Sequence, residues 1–433
     1  MTFHPPSDNT LDARPRSLLR RALFALTALT LFLSPTQLGP FARIPTLTVA
    51  DALLVVVSGV FALCVAQRAV KPRAPSPFAI AFLVFGAVSV AAAEQRGEAV
   101  KNVVQWFFYF GMAWMAFRAA LDDASARRVM LRTAAVAALC TVLLALAQFV
   151  RTAGTEIVGG DVPWWLHPGE DVRALFGNRN VLAGFFALSL PFGAALALSS
   201  GVARWMRVAG GVAALAGVCC TLSGAAAIAL AVAVLAMAAM RGRAALACAF
   251  GAVLLTVVVV HPHLPRRTEL ADPWMDSIAL HTPSGEVSRR YPDWECAWLM
   301  ATESPWTGVG AGNYQKAISP YRRIPTPPGA PEPDTQNLFL VLAASVGIPG
   351  ALAFVAMLLD GMARAAKATG GADAGRGALA LGAFGSLLAF CIAAIWHPLL
   401  VRGIGIPLAF VLAAADAVSM NPTPNPAEDN HEV

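Results

Sequence analysis

Charged side chains are scarce in this sequence. Asp, Glu, Lys and Arg make up 13% of its 433 residues, against 57% hydrophobic residues and a mean hydropathy of +0.61. Soluble domains carry roughly 25% charged residues. That shortage, together with long apolar runs, excludes an ordinary soluble domain and predicts an all-α polytopic membrane bundle. A transmembrane β-barrel is excluded as well, because it would alternate apolar and polar residues in segments of about ten. The net charge of +6 is then no nucleic-acid footprint, and no nucleic-acid partner is expected. In such a chain Lys and Arg set topology and can bind phosphate.

Cysteine is sparse and unpatterned, at Cys64, Cys140, Cys219, Cys220, Cys248, Cys296 and Cys391. Most of these lie in apolar runs, where Cys acts as a small packed hydrophobe. Neither a disulfide framework nor a metal cluster is expected. A cleavable signal pattern is missing too. Arg14, Arg16, Arg20 and Arg21 instead flank a first span that reads as a retained anchor. Ionisable residues are almost absent from the middle of the spans, Asp51 and Asp360 lying near ends. That argues against an ion-coupled carrier. No internal repeat is evident.

What is present is a series of about twelve apolar segments. They fall near 18–34, 47–66, 77–93, 102–120, 130–149, 181–200, 208–222, 224–240, 244–260, 336–359, 378–395 and 403–418. The organisation expected is a cytoplasmic tail at 1–17 and nine helices over 18–260 with an outer loop at 150–180. A large periplasmic loop over 261–335 with short helices, three helices over 336–420 and a disordered tail over 421–433 complete it. Basic residues cluster in alternate short loops, at Arg68, Lys71 and Arg73, at Arg127, Arg128 and Arg132, at Arg204 and Arg207, at Arg241 and Arg243, and at Arg364, Lys367 and Arg376. All fall on the side of the N-terminus, which makes that side cytoplasmic. The 150–180 and 261–335 segments then face outward.

The second outer loop holds Ser288-Arg-Arg-Tyr-Pro-Asp-Trp-Glu-Cys-Ala-Trp298 and ends in Gly308-Val-Gly-Ala-Gly312. Ser288 is a plausible N-cap for a helix to about Thr302, with Pro292 in its first turn. Arg290, Trp294 and Trp298 recur at helical spacing on one face. Two readings fit: a helix lying on the membrane with its Arg snorkelling to lipid phosphate, or an Arg fork on a diphosphate. The glycine turn, with Gly308 and Gly310, reads either as a backbone nest for phosphate or as a loop re-entering the membrane. Asp334-Thr-Gln-Asn337 opens the tenth span. Asp334 or Thr335 can cap it, and a carboxylate there can also serve as a base toward a hydroxyl. His261, His263 and His397 (beside Trp396) read as interfacial loop residues rather than metal ligands.

Three stretches together resemble the O-antigen ligase and O-antigen polymerase superfamily. They are Phe176-Gly-Asn-Arg-Asn-Val-Leu-Ala183 with Pro191, Arg290 and Trp294 followed by Pro305, Gly308-Val-Gly310 and Asn313-Tyr314, and Asn337-Leu-Phe-Leu340 followed by Gly347-Ile-Pro-Gly350. The resemblance implies a metal-independent glycosyltransferase of the bacterial inner membrane, acting at the periplasmic face without a cofactor. Its donor would be a polyprenyl-diphosphate-linked glycan and its acceptor lipid A core or another glycan.

On the resemblance, Arg290 holds the diphosphate with help from Arg289, Arg173 or Arg179. Asn180, Asn337, Gly308 and Gly310 line the substrate site, and Asp334 and Gln336 stand where the base belongs. Two positions depart from the family pattern. Family members usually have His where Gln336 stands, and Ser-Arg-Gly where this chain has Ser223-Gly224-Ala225. Asp334 is then expected to supply the base. A ligase, a polymerase and a non-catalytic protein that binds or exports lipid-linked glycan all remain open.

Overall fold

A computed structural model describes residues 13–36, 48–156, 174–176, 179–200, 203–221, 224–245, 248–249, 285–322, 335–370, 374–400 and 404–420. Among these the chain is helical, without a strand. Helices α1 (Ala13–Leu33), α2 (Val49–Ala66) and α3 (Pro77–Ser89, ending in a 3-10 turn Val90–Ala92) come first. Helix α4 (Arg96–Trp106) runs through a π-helical stretch Phe107–Ala113 into α5 (Trp114–Asp122). Then follow α6 (Ala124–Glu156), α7 (Arg179–Ala197), α8 (Arg204–Thr221), α9 (Gly224–Ala239), α10 (Gly285–Glu303), α11 (Leu338–Ala368), α12 (Ala374–Ala394) and α13 (Gly405–Ser419). Helices thus cover each apolar segment expected from the sequence except 244–260, most of which lies outside the described residues.

Five helical stretches are long and apolar enough to cross a membrane: Val49–Ala66, Ala124–Gln148, Asn180–Ala197, Leu338–Ala368 and Gly375–Ala394. Pro77–Ala92, Ala225–Ala239 and Gly405–Ser419 are apolar but shorter. Helix α7 packs along α8 and α12, α11 along α3 and α12, and α13 against α5, α11 and α12. The centre is aromatic. Phe82, Phe110 and Phe354 join α3, the π-helical stretch and α11 with ring centroids 5.1–6.0 Å apart. Tilted and edge-on pairs of this kind add about 0.5–1.5 kcal/mol each beyond their burial.

The helix starts are chemically specified. Thr48 and Asp51 form a reciprocal capping box on α2, and Asp51 also accepts the Tyr109 hydroxyl at 2.6 Å. Asp51 is therefore a satisfied cap, consistent with its place near a span end.

One feature departs from the expected absence of ionisable groups inside the spans. Arg118, within the segment expected at 102–120, is only 1% exposed. Its Nε donates to Asp416 at 2.7 Å, and Asp122 pairs with it as well. Asp416 also accepts from Arg364 at 2.7 Å, and Arg364 pairs with Asp360 at 3.0 Å. A buried charge persists only when it is paired in this way. The network ties α5, α11 and α13 together at one end of the bundle. A cavity of about 940 Å³ opens there, lined by Arg20, Lys71, Arg73, Asp122 and Asp123 among others. Arg20–Asp123 at 3.5 Å and Arg73–Asp122 at 3.2 Å close charge against charge along its wall.

Candidate functional site

Helix α11 is broken near its other end. Gly347 has φ 79° and ψ 163°, and Pro349 follows it. The break frees backbone groups, and the Pro305–Gly312 turn takes them up. Val309 N–H donates to the Ala344 carbonyl at 2.8 Å, Gly310 N–H to Ser345 at 2.9 Å, and Ile348 N–H to Pro305 at 2.8 Å. Each bond is worth about 1 kcal/mol net, but each buried group left unmade would cost about 1–3 kcal/mol. Gly308 has φ +63°, and a Cβ there would stand 2.4 Å from the Ala344 carbonyl oxygen. Only glycine fits. On its other side the turn rests on the 89–95 segment. Ala311 N–H donates to the buried Ser89 hydroxyl at 3.1 Å, and Asn313 exchanges hydrogen bonds with the Gln95 backbone at 2.9 and 3.3 Å.

This geometry corrects the expectation of a phosphate nest at Gly308 and Gly310. Gly308 N–H donates to Ser304, and Val309, Gly310 and Ala311 donate as just described. Their donors are occupied inside the chain. The turn is a clamp on the α11 break.

Helix α10 begins at Gly285, ahead of the expected cap Ser288, so Pro292 stands in its middle. Its Trp residues do not act together as the shared spacing suggested. Trp298 is 54% exposed. Trp294 turns inward, its ring centroid 5.5 Å from that of Trp396, and its Nε1–H donates to the Thr335 carbonyl at 2.9 Å. Arg290 Nη1 donates to the Trp396 carbonyl at 3.3 Å, and its guanidinium lies 5.9 Å over the Trp396 ring. The Thr335 hydroxyl returns to the Asp293 carbonyl at 3.3 Å. Two rings and three hydrogen bonds thus hold α10, the 335–337 segment and the 395–400 loop at one place.

The 335–337 segment is unwound. Gln336 has φ 50°, and the N-cap of α11 is Asn337, whose Oδ1 accepts the Leu340 N–H at 3.1 Å. This corrects the expectation that Asp334 or Thr335 is the cap, and it commits the Asn337 oxygen to the helix. Asp334 itself lies outside the described residues, as do Arg173 and the side chains of Arg179 and Arg289.

The stretch before α7 is fixed locally. Gln148 clamps Ala174 with two hydrogen bonds at 2.7 and 2.9 Å, and Phe176 packs 5.5 Å from Phe185. Asn180, partly buried, opens α7. One turn on, Gly184 faces the Leu399 side chain, three residues past Trp396. The start of α7 therefore meets the loop that carries the Arg290 acceptor. Trp396 escaped the sequence reading as a partner of Arg290 and Trp294. Its signal was an aromatic residue before His397 and Pro398 in a short connection between apolar runs.

The electrostatics around α10 are set by burial. Desolvation holds the Asp293 carboxyl above the usual carboxylate range, opposed by Arg322 at 3.4 Å. Burial also pushes up the Cys296 thiol, which donates to the Tyr321 carbonyl at 3.1 Å. A thiol held protonated is a poor nucleophile. The Tyr321 hydroxyl donates to Glu303 at 2.6 Å, which raises it.

Residues 209–355 match the O-antigen ligase family model. The match agrees with the resemblance that the second and third motif stretches carry. It contains Arg290, the glycine turn, Gln336, Asn337 and the α11 break. No curated protein matches the chain. The apolar helices point to a membrane protein.

Proposed function

We propose that the protein transfers a glycan from a polyprenyl-diphosphate carrier to an acceptor hydroxyl at the periplasmic face of the bacterial inner membrane. The observation that carries this is the meeting of Arg290 with the unwound start of α11, through Trp294, Trp396 and Thr335, all but Trp396 inside the segment that matches the family.

Arg290 offers two parallel N–H donors to a diphosphate, the geometry for which guanidinium surpasses ammonium. Its positive charge stabilises the leaving diphosphate as the glycosidic C–O bond breaks. Arg289, Arg173, Arg179 and Asn180 supply further contacts to the donor. The incoming hydroxyl attacks the anomeric carbon and must lose its proton. Gln336 cannot take it, since an amide is not a base near neutrality. No step calls on a metal or cofactor.

The test is transfer in proteoliposomes, from a lipid-linked O-antigen repeat unit to core-only lipopolysaccharide. A mass increase of the lipopolysaccharide marks a ligase, and a longer lipid-linked glycan marks a polymerase. Wild-type protein that binds the donor and forms neither product overturns the catalytic reading in favour of a binding or export protein. Alkaline phosphatase inserted near Gly329 is expected to be active, and fused to the C-terminus inactive. The opposite pattern places Arg290 on the wrong side of the membrane for this chemistry.

A further inference from the structure

The charged end of the bundle holds a cavity that the transfer reaction does not use. Its volume of about 940 Å³ falls within the roughly 300–1,000 Å³ usual for a small-molecule site. Five parts of the fold form its wall: Arg20 of α1, the 69–77 connection between α2 and α3, Asp122 of α5, Arg364 of α11 and Asp416 of α13. The 69–77 connection starts just past Ala66, where the apolar span Val49–Ala66 ends. That sets the cavity at headgroup depth rather than in the hydrocarbon.

The charges around this cavity do not sum to zero. Four arginines meet four carboxylates. Arg20 pairs with Asp123, Arg73 with Asp122, Arg118 with Asp122 and Asp416, and Arg364 with Asp360 and Asp416. That set is neutral. Lys71 lines the same cavity and has no ion pair or hydrogen bond among the described residues. One positive charge is therefore left over at the wall, and each carboxylate in reach of the set is already committed to an arginine. A recess with excess charge of one sign and low-dielectric walls concentrates the opposite ion.

The surroundings of Lys71 narrow the anion. Phe24, Val70 and Ala119 give the wall an apolar part. Phe78 and Ile80, which follow the wall residue Pro77, are exposed apolar side chains. A molecule that joins a phosphate to acyl chains uses both surfaces, whereas a free phosphate uses only the charged one. Basic pockets between membrane helices suit anionic lipid headgroups in this way. We propose that this cavity binds the phosphate headgroup of an anionic membrane lipid, with Lys71 as its point-charge anchor. The site is independent of the transfer chemistry at the Arg290 end.

The test is binding of phosphatidylglycerol, fluorescently labelled on an acyl chain, to the delipidated full-length protein in detergent. Wild-type protein is expected to bind it at least about fivefold tighter than phosphatidylcholine with the same chains, the factor that one juxtamembrane cation provides. Lys71→Gln is expected to lose about fivefold in affinity for phosphatidylglycerol, and Lys71→Arg to stay within about twofold of wild type. Lys71 is exposed, so its variants are expected to unfold at the wild-type temperature. Lys367→Gln removes an exposed basic residue of α11 that does not line the cavity, and is expected to bind as tightly as wild type. Undiminished affinity in Lys71→Gln overturns the site. An equal loss in Lys367→Gln does so too, because it marks diffuse surface charge. Equal binding of phosphatidylcholine overturns the anionic headgroup in favour of chain adhesion. Inorganic phosphate that displaces the lipid, where chloride at equal ionic strength does not, overturns the lipid source and assigns the cavity to free phosphate.

Discussion

The two ends of the bundle are held together by different forces. At one end Arg118, Asp416, Arg364, Asp360 and Asp122 close on one another, cation against carboxylate, across three helices. At the other, α10, α11 and the 395–400 loop are joined by indole rings, a glycine clamp and backbone carbonyls. The charged network settles its electrostatics internally. The aromatic end sets an arginine against a carbonyl and a ring face. Ion pairs lock one end by charge, whereas rings and backbone carbonyls lock the other by shape and hydrogen-bond direction.

The largest effect is expected for Arg118→Leu. It removes one of two cations from Asp416 and from Asp122, which keep Arg364 and Arg73, so the loss is expected to approach but not exceed the about 3–5 kcal/mol of breaking a buried pair. Thermal unfolding in detergent is expected to shift down sharply, while transfer per folded molecule stays near wild type. A loss of transfer with unchanged stability would show that the two ends are not separable.

Gly308→Ala comes next. It forces a Cβ onto the Ala344 carbonyl at positive φ, a strain on the order of 1–3 kcal/mol before any clash relaxes. Here stability and transfer are expected to fall together, because the clamp holds the start of α11. Full transfer by Gly308→Ala would detach the clamp from the site.

Arg290→Lys keeps charge and loses the fork. Transfer is expected to drop about 10- to 100-fold, or roughly 1.4–2.8 kcal/mol of transition-state stabilisation, with stability unchanged. Equal activity in the lysine variant would mean that a point charge suffices. Asn337→Ala removes the α11 cap and is expected to cost about 1 kcal/mol in unfolding measurements.

The smallest effect concerns Asp293, whose carboxyl burial holds above its ordinary value. A carboxyl raised in the folded state contributes stability below its unfolded value of about 3.9 and loses it as pH climbs through the folded value. Asp293→Asn is therefore expected to compare more favourably with wild type at pH 7 than at pH 4, by less than about 1 kcal/mol since the group is only partly buried. A variant that is relatively worse at pH 7 would mean that the Arg322 pair outweighs desolvation.

Much of this was legible in the sequence, because its cause is local. Apolar runs of sufficient length become helices wherever they dock, so the expected segments coincide with helices wherever the chain is described. The Arg290–Trp294 spacing correctly put both residues on one side of a helix. The motif glycines were recognised, but their purpose was not. Whether an N–H is open to a phosphate depends on which carbonyl lies opposite, and those of Ala344 and Ser345 come from a helix about 35 residues away in the chain. Spacing likewise made Trp294 and Trp298 equivalent, whereas only Trp294 meets Trp396. The sequence alone determined that this is a helical membrane chain with family motifs in order, since composition and periodicity act residue by residue. The tertiary structure decided which donors of the glycine turn are occupied and that the Trp396 carbonyl receives Arg290. Those outcomes depend on long-range neighbours, and no local pattern encodes a neighbour more than a hundred residues away.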